Sequence, residues 1–209
     1  ANCHVVLRRN SIDETTLKDL QGKVREAGSI EALRGYEGSA AKAYFAGFAR
    51  LVEPFEFKGR FYRPPDGPVN AMLSFGYTLL YNRITSVLKH KGFNPRIGFF
   101  HQGRGSHNAL ASDLMENLRH FPERVVLALI HRKEIKPEDF VKTERKVTTW
   151  RLNGEGFRKF IRRFEYVMTT RSSYHGGEKM SCNSYLDEMA DTLRRSLKLG
   201  IPFVTLRID

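Results

Sequence analysis

Apolar residues fall at intervals of three and four along most of this chain, and that spacing predicts helices. The clearest stretch runs from Ile30 to Leu51, where Leu33, Tyr36, Ala40, Ala41, Tyr44, Phe48 and Leu51 share one helical face. Ser11 and Glu14 have the spacing of a capping box, so a helix to about Ala27 is expected before it. Gly28 ends that helix and Ser29 can cap the next. After a loop over 52–68, Asp66 and Pro68 open a helix from Val69 to about Lys91, with Leu73, Leu80, Ile84, Val87 and Leu88 inward. Residues 92–95 make a turn, and Ile97 to Phe100 is either a short extended run or the first turn of a helix. A polar loop over 102–108 leads to a helix with Leu110, Leu114 and Leu118 on one side and Asp113 and Glu116 on another. Further helices are expected from Phe121 to about Arg132, briefly after Pro137, from Asn153 through Phe157, Phe160, Ile161, Phe164 and Met168, and through Tyr185, Met189, Leu193 and Leu197 to Gly200. Thr148 to Leu152 has strand composition and stands almost alone, while 171–181 reads as a polar loop. About seven helices against one or two strand candidates predict an all-α fold, with 1–209 as one helical domain.

Four residues interrupt the apolar pattern. Glu37 lies within the stripe of residues 33–45, and Gly35 and Gly38 beside it would permit close backbone approach. His101 ends the apolar run Ile97 to Phe100. Asp113 and Glu116 are three apart on one helix. A carboxylate buried without a partner is costly, so Glu37 requires a cation or a proton. Three carboxylates and an imidazole suit a hard divalent cation such as magnesium or manganese. Each part also has a plainer reading. A histidine after an apolar run can be a core residue or a cap, and an Asp–Glu pair at this spacing can be a solvated face. His107 is open to the same two readings, as a further member of the site or as a loop or cap residue. The residues alone leave convergence open.

Charge shifts the balance toward one class of partner. The 209 residues include 35 Lys and Arg against 23 Asp and Glu, a net charge of +12. Such an excess favours a polyanion, nucleic acid above all, although it also serves solubility. Phe157, Phe160 and Phe164 are spaced for core packing. Lys159, Arg162 and Arg163 lie opposite, as phosphate contacts or as a solvated face. No apolar stretch is long enough to span a membrane, so no membrane partner is expected. Cys3 and Cys182 form no CxxC pair, which favours neither a disulfide framework nor a zinc knuckle and makes a reducing, cytoplasmic setting the default. The pattern contains no Walker loop, Rossmann glycines, zinc finger or Ser/His/Asp triad. The chain starts at AlaAsnCysHis without methionine and reads as a piece of a longer protein.

Three blocks carry a resemblance. They are GlyTyrGluGlySerAlaAlaLysAlaTyrPhe (35–45), ArgProProAspGlyProValAsnAlaMetLeuSerPheGlyTyrThrLeuLeu (63–80), and GlyPhePheHis followed by LeuAlaSerAspLeuMetGluAsnLeuArg (98–101 and 110–119). In order and spacing they resemble the CRISPR-associated integrase family, the first of the Cas proteins. The resemblance implies a mainly α-helical catalytic domain that lacks the family's N-terminal β-domain. It implies metal ligation by Glu37, His101 and Glu116, with Asp113 supporting the site or its DNA. Magnesium or manganese is the implied cofactor. Arg63, Arg104 and Arg119, in or beside these blocks, are the implied phosphate contacts. Implied partners are DNA, a small ferredoxin-like second Cas protein and a second copy of the chain, and some relatives are fused to a reverse transcriptase. The implied reaction is insertion of foreign DNA into a CRISPR array by attack of a 3′-hydroxyl on a phosphodiester, with nuclease activity where water replaces the hydroxyl. The reading from charge alone, a non-catalytic nucleic-acid-binding helical module, stands as the alternative.

Overall fold

The structure is a computed structural model and describes residues 4–24, 26–61, 64–103, 105–144, 148–173 and 179–205. Its elements are α1 (His4–Arg9), α2 (Thr15–Val24), α3 (Ile30–Ala49), α4 (Gly67–His90), α5 (Ala109–Met115), α6 (His120–His131), a 3-10 turn (Pro137–Asp139), β1 (Phe140–Glu144), β2 (Thr148–Leu152), α7 (Gly154–Thr169), β3 (Arg171–Ser173), β4 (Lys179–Ser181) and α8 (Cys182–Leu199). Helices dominate, as the periodicity predicts.

α4 is the central element and packs against α5, α6, α8 and β2. Its burial runs around the helix, from Val69, Met72 and Leu73 through Tyr77 and Leu80 to Ile84 and Leu88, while Val87 is only partly covered. Gly76 allows the close crossing: a Cβ there would stand 2.9 Å from Pro122 of α6 and 3.1 Å from the Phe160 ring of α7. Phe160, Phe164 and Met168 of α7 and Tyr185, Leu186, Met189 and Leu193 of α8 complete this side of the core. Phe157 stays half exposed against Phe75, with ring centroids 5.3 Å apart.

Caps fall largely where the sequence puts them. Ser29 accepts from the Ala32 N–H, Asn153 accepts from the Gly156 N–H, and Gly200 closes α8 in the left-handed region at φ 65°. The start of α2 differs from the expected capping box. Ser11 takes a positive φ of 57°, and Asp13 accepts from both the N–H and the hydroxyl of Thr15. The strand reading of 148–152 holds, but it does not stand alone. β1 pairs with it antiparallel, Phe140 opposite Leu152 through Glu144 opposite Thr148. The polar stretch 171–181 contains a second short antiparallel pair, β3 with β4. α5 ends at Met115, so Glu116 caps it and Leu118 packs from the turn beyond, not from the helix.

Candidate active site

The apolar stripe of α3 divides in two. Tyr44, Phe45 and Phe48 in its C-terminal half enter the core. Leu33, Tyr36, Ala40 and Ala41 instead line a cavity of about 480 Å³, closed on another side by Leu17, Leu20 and Val24 of α2. Glu37, Glu116, Arg119 and Glu123 bring charge to this largely apolar space, and Phe100 lies beside them. Gly35 and Gly38 face open space, so they do not serve the close backbone approach that the sequence suggests. They leave the face beside Glu37 uncluttered.

Glu37 and Glu116 come from distant parts of the chain. Burial raises the Glu37 carboxyl above the ordinary range, and the Glu116 charge raises it further; Arg119, His101 and Arg34 offset part of this. Three of the four sequence-selected residues therefore act on one another electrostatically. Arg119 holds Glu116 through one guanidinium nitrogen, 3.1 Å from each carboxylate oxygen. Burial opposes the Arg119 charge, but Glu116, Tyr77 and Glu123 outweigh it and keep the guanidinium protonated. As placed, no three His, Cys, Asp or Glu side chains among the described residues stand close enough together to hold a metal ion.

Asp113 has a different role from a ligand. Its side chain is fully buried. One oxygen accepts from the Phe99 N–H at 2.6 Å and the Phe100 N–H at 3.2 Å. The other meets the His101 N–H at 2.8 Å and the His101 Nδ1 at 2.7 Å. Both oxygens are committed, so Asp113 does not face a substrate or an ion. It fixes the loop and leaves Nε2 as the outward nitrogen of His101, the arrangement by which a carboxylate orients a metal-binding histidine. Gly98 makes this wrapping feasible. A Cβ there would lie 2.7 Å from an Asp113 oxygen, 2.8 Å from the Ala109 Cβ and 2.9 Å from the His101 carbonyl. Arg34 lies over the Phe100 ring at 5.8 Å and ties α3 to the same loop.

Glu123 is the functional-region residue that sequence reasoning missed. It is 1% exposed and accepts from the Tyr44 hydroxyl at 2.6 Å and the Tyr77 hydroxyl at 2.7 Å. Arg119 and Arg60 both lie over the Tyr77 ring, at 5.2 and 5.3 Å. The signal was present: an acid inside the apolar run of α6 is the same anomaly that marks Glu37. His107 takes the plainer of its two readings. It stacks on Tyr81, and its two ring nitrogens meet the Tyr81 hydroxyl at 3.5 Å and the Ser112 hydroxyl at 3.1 Å. Lys159 and Arg163 are engaged by Asp139 and Glu134. Of the expected phosphate contacts, Arg63 and Arg104 lie outside the described residues, and Arg119 is occupied by Glu116.

The donor chemistry suits a hard divalent cation. It comprises a carboxyl strained by a neighbouring carboxylate, that neighbour, and an imidazole whose Nε2 is left outward. No helix among the described residues is long and apolar enough to cross a membrane.

The chain matches the family model "CRISPR associated protein Cas1" over residues 1–166. It is 34% identical to the CRISPR-associated endonuclease Cas1 of Leptospira interrogans, across 97% of this chain and 88% of that protein. Its fold is similar to a casposase bound to its integration product, with TM-score 0.81 and 26% identity over 90% of this chain and 53% of that one. It is also similar to a chain of a partial Cas6-RT-Cas1–Cas2 complex, with TM-score 0.79 and 32% identity over 89% of this chain and 55% of that one. The chain thus spans about half the length of those two structures. On the match over 1–166 and the identity to the Leptospira protein, it belongs to the Cas1 family of CRISPR-associated proteins.

Proposed function

We propose that this chain is the helical catalytic part of a DNA integrase and endonuclease of CRISPR spacer acquisition. The observation that carries the reading is the meeting of Glu37 and Glu116 in one cavity, where the Glu116 charge raises the Glu37 carboxyl. With His101, they would hold magnesium or manganese. A divalent cation bound there would neutralise charge developing on a phosphodiester under attack by a 3′-hydroxyl, or by water in the nuclease reaction. The chain's own contributions are positional. Asp113 presents the His101 Nε2, Tyr77 and Glu123 seat Arg119, and Arg119 holds Glu116 until a cation or a phosphate competes for one of them. The net charge of +12 supports DNA as the partner. The similarity to a casposase on its integration product supports the integrase chemistry, and the similarity to a Cas1–Cas2 assembly supports a small Cas2-type partner. Pairing with a second copy and fusion to a reverse transcriptase belong to the same reading.

The test is strand transfer and cleavage of branched DNA by the full-length protein with its small partner, in magnesium or manganese. His101→Ala and Glu116→Ala are each expected to lower both rates by about 100-fold or more. DNA affinity should stay near that of the unmodified protein and fall with salt at a slope of about −0.9 per phosphate neutralised. Unchanged rates in Glu116→Ala at matched folded concentration would refute the assignment. Salt-sensitive binding with no metal-dependent chemistry would favour the non-catalytic module.

A further inference from the structure

A second cavity, of about 210 Å³, lies between α1 and α6 and shares no lining residue with the first. Arg9 ends α1 and Asn10 follows it, while His120, Arg124, Leu127 and His131 form one face of α6. Among the described residues the polar lining is cationic or neutral, with no carboxylate. His131 is accounted for, since its Nε2 donates to the Leu51 carbonyl at 2.7 Å. His120 is not. It is 2% exposed, and neither ring nitrogen has a hydrogen-bond partner among the described residues. The Asn117 carbonyl favours a protonated ring slightly, yet its contact falls outside hydrogen-bond geometry. Burial, with Arg124 and Arg9 nearby, lowers the imidazole to about 3 and leaves it neutral at ordinary pH.

We propose that this cavity binds a phosphate group that still carries a P–OH, with His120 as the recognising side chain and Arg9 and Arg124 as its charge partners. A buried polar side chain without a partner calls for one, and the cationic lining selects an anion. The imidazole narrows the choice. A neutral ring offers one N–H donor and one lone pair. Hydrogen phosphate, free or at the end of a phosphomonoester, supplies both an acceptor oxygen and a donor hydroxyl. Sulfate and an internal phosphodiester lack the hydroxyl and leave the lone pair unmet. The site is therefore distinct in chemistry from general contact with the DNA backbone, and it does not rest on the proposed integrase reading.

Calorimetric titration of the full-length protein with inorganic phosphate, and with sulfate at equal ionic strength, tests this. Phosphate should bind at least about tenfold more tightly than sulfate, because only phosphate meets both ring nitrogens. Arg9→Gln, at an exposed position, should weaken phosphate by about fivefold at matched folded concentration. His120→Leu should remove the preference for phosphate over sulfate. Displacement of phosphate by a duplex bearing a 5′-phosphate, but not by its 5′-hydroxyl twin, would assign the site to DNA ends; displacement by neither would assign it to free phosphate. Equal affinity for phosphate and sulfate, or no saturable phosphate binding, would overturn the proposal and leave the cavity to ordered water.

Discussion

Asp113 and Glu116 are three residues apart in one motif and meet opposite fates. Asp113 is sealed, with four N–H or imidazole contacts shared between two oxygens. Glu116 sits at the helix end, paired with one arginine, and its charge raises the Glu37 carboxyl across the cavity. The first environment has nothing left to gain from a ligand. The second is stabilised by any cation that relieves Glu37. The contrast separates a positioning acid from a binding acid on partner inventory alone, within a single turn of chain.

Breaking the sealed side should have the largest effect. Asp113→Ala removes the buried acceptor of the Phe99, Phe100 and His101 N–H groups, at a cost of about 3 kcal/mol. Urea unfolding measures that loss. Metal affinity, followed by manganese titration, should fall by roughly 10- to 100-fold as His101 loses its orientation. A stable variant with unchanged manganese affinity would show that the Asp113 contacts do not govern the histidine.

Gly98→Ala approaches the same clamp from the other side. The added methyl meets an oxygen, a methyl and a carbonyl, all inside 3.0 Å. Two of these belong to backbone or to a helix side chain and cannot swing away. A loss of about 1–3 kcal/mol is expected. Full stability in thermal unfolding would mean that the loop opens more easily than its packing suggests.

How much of this was legible from the amino acids varies by element. Helix α3 is readable because its period is unbroken over five turns, and Ser29 and Asn153 announce their helices through local capping chemistry. β1 was missed because Phe140 to Glu144 gains strand character only from its pairing with Thr148 to Leu152, a relation between segments. Glu37, His101 and Glu116 stood out as polar residues in apolar settings. The supporting role of Asp113 came from the family resemblance and not from the residues themselves, because spacing shows which face a residue occupies and not how many donors it meets. The same limit hid the two tyrosine hydroxyls on Glu123, which reach it from α3 and α4.

On the binding side, Glu116→Ala has a smaller structural effect. With Glu116 read as an isolated buried charge, its removal would be neutral or stabilising. The ion pair changes that. The Arg119 side chain is only 27% exposed and would lose the carboxylate that most directly supports its charge. Glu123 and the Tyr77 ring remain beside it, so the expected loss is about 1–2 kcal/mol. A double-mutant cycle with Arg119→Met isolates the pair. A coupling near zero would mean that Glu123 alone holds the guanidinium.

Glu37→Gln is the smallest and most diagnostic change. The Glu37 carboxyl is raised in the folded state by burial and by Glu116, from an ordinary value of 4.5. Folding therefore favours its protonated form. That favourable contribution is complete below about 4.5 and is lost as pH rises through the folded value. At neutral pH without metal, the charged side chain costs stability that glutamine does not. The variant should be slightly more stable there, by less than about 1 kcal/mol because Glu37 is only half-buried. The advantage should vanish below pH 4.5, where both side chains are neutral. Magnesium or manganese should reverse the order at neutral pH, since a cation stabilises the pair of carboxylates but has one fewer to bind in the variant. Thermal unfolding at pH 4 and pH 7, with and without metal, measures all four corners. A variant less stable than the parent at pH 7 without metal would show that Arg119, His101 and Arg34 already neutralise Glu37, and that no cation is called for at this site.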